Sequence, residues 1–293
     1  MFKNIQFFRI TPTWTADHAA AELALNSMRY VECGASQEQT IGWVAPRGEK
    51  NGPLLESIGG QWIAKFMIET KMIPGAVVRE EVEKRLIEIE SQTGRKPGKK
   101  EKKEINEDVR NTLLPKAFPK KSAAAVWIDP TAKLLVIEAN TQTRADEIVT
   151  ALVKVLEGFA VTAIETQQTA ATSMSQWLDT QELPAGFTAD RDCVLKSSDE
   201  SKATVKYAKH PLDIDEIRAH IASGKIPTQL AMTWDSRVSF MLTDSGNIKK
   251  IDILDVVTND KGDSGFDADV AIETGELSKL IPELINALGG AMP

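Results

Sequence analysis

Residues 76–121 read AVVREEVEKRLIEIESQTGRKPGKKEKKEINEDVRNTLLPKAFPKK, a pattern unlike the sequence on either side. Apolar side chains recur at three- and four-residue intervals in both halves of this stretch, which predicts two helices. The apolar positions are Val78, Val82, Leu86 and Ile89, followed by Ile105, Val109 and Leu113. Pro97 and Gly98 lie between the two halves and end a helix there. The stretch therefore predicts a helical hairpin.

The same stretch is basic in a chain that is acidic as a whole. Residues 84–121 hold twelve basic and six acidic side chains, while the chain has a net charge of −7, so the segment carries +6 and the remainder −13. Local potential, not net charge, decides where a polyanion binds. The connecting turn, with Arg95, Lys96, Lys99 and Lys100, is a candidate polyanion contact. A solvated charged face is the alternative.

The sequence on both sides of the hairpin alternates between strand and helix patterns. Residues 2–10 and 61–74 favour strands, and residues 18–30 favour a helix. Beyond the hairpin, two apolar runs flank Asp129-Pro130-Thr131, which is a turn signal, and residues 144–159 favour another helix. This alternation predicts an α/β unit interrupted by the hairpin.

From residue 166 onward the pattern indicates a separate unit. Helices are predicted near residues 174–178, 213–223 and 275–288, with strands between them and a hairpin turn at residues 244–247. The predicted fold class is α+β. Its parts are a mixed α/β central domain (residues 1–75 and 122–165), an inserted basic helical tip (residues 76–121) and a C-terminal α+β base domain (residues 166–293).

The sequence gives little sign of catalysis. Neither a phosphate-binding glycine loop, nor a G-x-S-x-G elbow, nor an H-E-x-x-H pair occurs. Asp260, Asp263, Asp267 and Asp269 form an acidic run, which we interpret as an exposed loop, with a metal-binding loop as the alternative. We expect no cofactor, no metal and no enzymatic activity.

Cysteine content and the N-terminal sequence predict a cytoplasmic protein. Cys33 and Cys193 are the only cysteines, and we expect both to be reduced, small buried residues. The first residues lack the pattern of a signal peptide, and no apolar run reaches the ~20 residues that span a bilayer. The six tryptophans lie in apolar strands or amphipathic helices, so we expect them in the core.

Contacts from the basic segment are expected to reach phosphate and not bases. Stacking on single strands needs aromatic side chains, and the hairpin contains none before Phe118. Phe118 lies between Pro115 and Pro119, where the hairpin rejoins the body. Two hypotheses stay open for Phe118: packing beneath the hairpin, or a patch for self-association.

Several motifs in one order give the chain a family resemblance. They are FKN (2–4), GWVAPRG (42–48), LLPKAF (113–118), WID (127–129), FDADVAIETGEL (266–277) and LINALGG (284–290). Over essentially its whole length the chain resembles the bacterial recombination-associated RdgC family. The resemblance implies a nucleoid-associated homodimer that closes into a ring around duplex DNA. It also implies binding of single- and double-stranded DNA with little sequence preference, and restraint of the RecA recombinase by occupation of DNA.

The resemblance also assigns roles to particular residues. It places a hydrophobic ring contact at Phe118 and a polar one at Lys209 and His210, where the local sequence departs from the family pattern. Lys116 stands where the family has arginine, which keeps the charge but loses bidentate phosphate geometry. Together with the basic segment, the resemblance gives these expected DNA contacts: Arg95, Lys96, Lys99, Lys100, Lys116, Lys120, Lys121 and Lys225.

Two other classes of function remain as alternatives. The first is a metal-dependent enzyme that processes nucleic acid and holds its metal in the acidic run. The second is an adaptor whose basic hairpin binds an acidic protein partner. The sequence also leaves open whether the protein contacts the recombinase directly, in addition to competing with it for DNA.

Overall fold

The computed structural model describes residues 1–212, 215–257 and 265–292. Within these ranges the chain forms one antiparallel sheet with seven α-helices, which confirms the α+β class. The strands are β1 (Asn4–Ile10), β2 (Gln39–Val44), β3 (Leu55–Ile58), β4 (Gln61–Met72), β5 (Phe118–Asp129), β6 (Leu134–Glu138), β7 (Val161–Ala163), β8 (Phe187–Ser197), β9 (Thr204–Tyr207), β10 (Lys225–Trp234), β11 (Val238–Thr243) and β12 (Ile248–Ile253). The helices are α1 (His18–Asn26), α2 (Gly75–Thr93), α3 (Lys99–Leu113), α4 (Gln142–Val155), α5 (Ala170–Thr180), α6 (Asp215–Ala222) and α7 (Gly265–Ala287).

The sheet joins the two halves of the chain. Its strand order is β2-β4-β5-β6-β1-β12-β11-β10-β8-β9, with β3 added to β4 and β7 added to β1. Strand β1 is the junction, because Asn4 pairs with Lys249 and Ile5 with Ile248. The sheet thus crosses the predicted boundary at residue 165, and the division into central and base domains stays a prediction.

Long apolar strands form in the first half because both of their faces are covered. In β4 and β5, Ile63 and Trp127 point into the core beneath α5 and α7, while Phe66 and Val126 point into the core beneath α1 and α4. Alternate residues of a strand face opposite sides, so two cores require continuous apolar runs. All six tryptophans are buried, as predicted.

The closing helix differs most from the sequence prediction. Helix α7 begins at Gly265, ten residues before the predicted start, so Asp267 and Asp269 lie in a helix and the exposed-loop interpretation is wrong for them. The longer helix forms because Val270 continues the buried stripe of Leu277 and Leu284 toward the N-terminus. The other two aspartates of the acidic run, 260 and 263, lie outside the described residues.

The cysteine prediction is right for one residue and wrong for the other. Cys193 is buried, and burial raises the pKa of its thiol to about 12. Cys33 is only half-buried, and both thiols are free. In the described ranges no helix is long and apolar enough to cross a membrane.

An ion pair with a buried carboxylate joins α7 to the turn between β10 and β11. Arg237 donates from Nε and Nη2 to the two carboxylate oxygens of Glu276, at 2.7 and 2.6 Å. Glu276 is only 5% exposed. These hydrogen bonds stabilise the carboxylate and lower the pKa of Glu276 below its ordinary value of 4.5.

Replacing Glu276 with glutamine should make the free energy of unfolding depend less on pH in the acidic range. Because the folded-state pKa of Glu276 is depressed, its contribution is present above the unfolded pKa and is lost as pH falls through the folded pKa. We expect the urea midpoint of Glu276→Gln to change less than that of the wild type between about pH 5 and pH 2. Glu157→Gln, an exposed acid, is the control. Parallel pH profiles for wild type and Glu276→Gln would contradict the assignment.

Candidate nucleic-acid interface

Helices α2 and α3 pack against each other through a small apolar cluster of their own. Val78, Ile105 and Val109 are buried there, and the other predicted stripe residues pack around them. Gly94 adopts a left-handed conformation with φ of 69° and ends α2. The two predicted helices are therefore present, and we refer to them as the helix pair.

The basic residues predicted for the connecting turn are of two kinds, and two of them, Lys99 and Lys100, lie in the first turn of α3 and not in the connection itself. Arg95 forms a bidentate pair with Glu101, with N–O distances of 2.8 and 3.2 Å, and the Lys96 ammonium lies 3.8 Å from Glu90. Lys99 and Lys100 are exposed and have no acidic partner among the described residues. The charges of Arg95 and Lys96 are thus partly compensated, whereas Lys99 and Lys100 are available to an external anion.

The segment that follows α3 contains two more exposed lysines without an acidic partner among the described residues. Leu114 is buried and fixes a short 3-10 turn that ends at Lys116, after which β5 begins at Phe118. Lys116 and Lys120 are exposed, and the described part of the chain places no carboxylate within ion-pair distance of either. We call Lys99, Lys100, Lys116 and Lys120 the lysine quartet.

Phe118 is solvent-exposed, so packing beneath the hairpin is wrong. Its relative exposure is 86%, and its cross-strand partner on β4, Met72, is 56% exposed. Side chains directly opposite each other on paired strands touch one another. Phe118 and Met72 therefore form one apolar area at the end of β4 and β5, which we call the Phe118–Met72 patch.

Lys121 lies inside a local network that the sequence did not predict. Its ammonium lies 2.7 Å from Glu32 and 5.6 Å from the centre of the Tyr30 ring. The Tyr30 hydroxyl in turn donates to Glu69, which is 3% exposed. The hydrogen bond to Glu32 raises the pKa of Lys121. Lys121 therefore fixes the segment around Tyr30 to the sheet and has less free charge to offer DNA.

Gly42, in the GWVAPRG motif, allows the Tyr30 segment to lie on the sheet. Trp43 donates its backbone N–H to Met28 O, and Tyr30 donates to Trp43 O, each at 2.9 Å. A Cβ atom on Gly42 would sit 2.5 Å from Tyr30 Cα and 2.6 Å from Tyr30 N. The close approach of two backbones explains why glycine occupies this position.

We expect Gly42→Ala to destabilise the protein by about 1–3 kcal/mol, because the backbone of Tyr30 has to move away. Denaturation in urea measures the change. The matched control is Gly75→Ala, since no heavy atom lies within 4 Å of a Cβ built there. Equal midpoints for the two variants would contradict the close packing of Tyr30 on Gly42.

The remaining predicted site residues lie toward the other end of the sheet, on or beside β8, β9 and β10. Lys225 begins β10, and its Nζ lies 3.2 Å from His220 Nδ1 and 3.3 Å from Ser223 Oγ. Lys209 and His210 are exposed in the loop after β9, where the backbone N–H of Lys209 donates to Asp192 at 2.7 Å. Phe118 lies between Lys116 and Lys120 in sequence, at the point where the chain leaves α3, whereas Lys99 and Lys100 lie at the opposite end of that helix. Lys225, Lys209 and His210 lie on or beside β8, β9 and β10 and are not brought to either group within one chain.

Sequence reasoning missed Met72 and the acidic partners of the basic residues. Met72 joins the site only through the register of β4 and β5. Glu32 is 89 residues from Lys121, so no local spacing indicates that pair. Glu101 is the exception, because its position in the first turn of α3 beside a basic loop is a usable signal.

The fold and the site define an α+β protein with one antiparallel sheet and a basic helix pair inserted between the paired strands β4 and β5. A family model described as "RdgC: Putative exonuclease, RdgC" matches residues 1–291. The chain is 40% identical to the recombination-associated protein RdgC of Dechloromonas aromatica (strain RCB), over 99% of this chain and 97% of that protein. RdgC proteins of Janthinobacterium sp. (strain Marseille) and Bordetella pertussis (strain Tohama I) are each 39% identical, over 99% of this chain and 98% of theirs. The chain belongs to the RdgC family of recombination-associated proteins.

Proposed function

We propose that this protein binds DNA without reading its sequence and encloses duplex DNA as a dimeric ring. The observation that carries the proposal is the lysine quartet, which leaves exposed ammonium groups at the start of α3 (Lys99 and Lys100) and in the segment that follows it (Lys116 and Lys120). Exposed lysines bind phosphate as point charges and release counterions when they do so. Such contacts position DNA but carry no sequence information.

The burial of the tryptophans supports phosphate contact over base stacking. All six tryptophans are buried and none is available to stack on a base. The helix pair itself carries no tryptophan, tyrosine or phenylalanine. Binding through phosphates alone extends to single strands as well as duplexes, as the family resemblance implies.

The Phe118–Met72 patch supports self-association. An exposed apolar pair beside a basic surface is typical of a contact with another protein surface, and the resemblance assigns Phe118 to one ring contact. The resemblance assigns the second contact to the loop with Lys209 and His210, beside β9 at the edge of the sheet. Two separate contacts on each chain are what closure of a two-membered ring requires.

A ring on DNA accounts for the link to recombination. Enclosed DNA is unavailable to a recombinase, so the protein limits recombination by occupying the substrate in the nucleoid. Direct contact with the recombinase is not needed. The test is equilibrium binding to several duplexes and to several single strands of unrelated sequence: affinities within about threefold are expected among the duplexes and, separately, among the single strands, and a strong preference for one sequence contradicts the proposal.

A nuclease is the second candidate, since the family model carries the word exonuclease in its description. In the described ranges no group of three or more His, Cys, Asp or Glu side chains is placed to hold a metal ion. Asp267 of the acidic run forms an ion pair with Arg47 at 2.5 Å. We favour a non-enzymatic protein, and labelled DNA incubated with Mg²⁺ or Mn²⁺ decides between the two: cleavage products would establish the nuclease.

The adaptor alternative shares the basic surface but replaces DNA with an acidic polypeptide. Competition between labelled DNA and polyglutamate of matched charge separates the two. We expect DNA to displace polyglutamate at much lower concentration, because phosphates are spaced regularly along DNA and release condensed counterions.

A further inference from the structure

A cavity of about 420 Å³ opens beside β1, at a gap in the strand pairing along one of its edges. Strand β6 pairs with one edge of β1 over residues 5–9. On the other edge, β12 pairs with residues 4–5 and β7 with residues 8–10. Among the described residues, Gln6 and Phe7 therefore have no partner strand on this edge, and both line the cavity.

Gln6 supplies a polar side chain to the cavity lining. Its exposure is 3%, and within the described ranges its side-chain amide makes no hydrogen bond. The amide atoms are not fully enclosed by protein, so they open onto the cavity, where a water molecule or a ligand can bind them. The amide offers both an acceptor oxygen and two donor hydrogens to the cavity.

The rim of the cavity is acidic. Glu165 and Asp244 both line it, and neither carboxylate forms an ion pair with a residue that the structure describes. The lining contains no lysine, arginine or histidine. Helices α4 and α5 begin beside the cavity, but the side chains of Thr141 and Thr169 already accept hydrogen bonds from their first turns. The electrostatics therefore favour a cation over an anion.

Part of the cavity lining is apolar. Ile164, Ile285, Leu288 and Met292 belong to it, and they suit a hydrocarbon chain. A cavity of this volume is within the range of small-molecule sites, roughly 300–1,000 Å³. We propose that the cavity binds a linear alkyl diamine or polyamine. The carboxylates of Glu165 and Asp244 attract the ammonium groups, the hydrocarbon chain contacts the apolar part of the lining, and the Gln6 amide oxygen accepts a hydrogen bond from a nitrogen of the ligand.

Calorimetry without DNA tests this site, with 1,4-diaminobutane as the probe. We expect saturable binding of one molecule per chain. The neutral analogue 1,4-butanediol, which has the same length, should bind at least about tenfold more weakly, because charge-assisted hydrogen bonds are lost. Glu165→Gln combined with Asp244→Asn should weaken diamine binding by a similar factor, and both positions are exposed, so the fold should remain intact.

Glu157→Gln, another exposed acid outside the cavity, is the matched control and should bind the diamine like the wild type. Unsaturable heats, equal binding of the diol, or unchanged affinity in the double variant would overturn the proposal. Tighter binding of a nucleoside than of the diamine would also overturn it. The double variant should keep its affinity for DNA, so failure at this cavity is distinguishable from failure of the DNA-binding proposal.

Discussion

Alanine at all four positions of the lysine quartet is expected to weaken binding to every DNA sequence by about a hundredfold or more near 0.1 M salt. Each phosphate contact releases roughly 0.9 of a counterion. A single contact therefore raises the binding constant about eightfold at 0.1 M salt relative to 1 M salt. Loss of two to four contacts gives the expected factor. The slope of log K against log salt should become shallower by about 2–4.

Fluorescence anisotropy with random duplexes at several salt concentrations measures both quantities. The control replaces Lys50, Lys154, Lys196 and Lys279, which are exposed lysines outside the helix pair, so the change in net charge is identical. A second comparison is Arg95→Ala with Lys96→Ala, which should cost less than Lys99→Ala with Lys100→Ala because Glu101 and Glu90 already compensate those charges. If the quartet variant binds like the control, the helix pair is a solvated charged face.

Phe118→Ala is expected to open the ring without unfolding the chain. Burial of a phenylalanine side chain at an interface contributes about 1.5–3 kcal/mol, so one of the two ring contacts should weaken by roughly that amount. Phe118 is 86% exposed within one chain, so its loss should leave the chain folded, which an unchanged circular dichroism spectrum checks.

Sedimentation velocity reports the expected opening as a slower, more extended dimer or as partial dissociation. Leu23→Ala is the matched control, since Leu23 is an apolar residue on α1 with an exposure of 73%. Identical sedimentation of wild type and Phe118→Ala would remove the Phe118–Met72 patch from the interface.

Features that depend on local periodicity could be predicted from the sequence. The two stripes of the helix pair and the β-hairpin at Asp129 are examples, and in the latter Asp129 accepts from the backbone N–H groups of Thr131 and Ala132. The early start of α7 could not be predicted, because Gly275 is usually a helix breaker. No neighbouring atom lies within 4 Å of a Cβ built at Gly275, so close packing does not require glycine at this position. The helix continues through Gly275 because packing of its apolar face against the sheet, and not local propensity, decides where it begins.

Features that depend on sheet register or long-range pairing could not be predicted. The exposure of Phe118 follows from the position of β5 beyond the helices that cover the sheet. Its pairing with Met72 follows from the register with β4. The sequence identified Lys121 as a basic residue. Its contacts with Glu32 and Tyr30 depend on Gly42, because only glycine there lets the backbone of Tyr30 lie close against the sheet.

Dissociation from circular and linear duplex DNA tests the ring most directly. A closed ring leaves a linear duplex by sliding off an end, but it leaves a covalently closed circle only when a contact opens. At matched salt and length, the wild type should leave linear DNA faster than circular DNA, and Phe118→Ala should reduce that difference. Equal rates of wild-type dissociation from the two substrates would contradict enclosure of DNA.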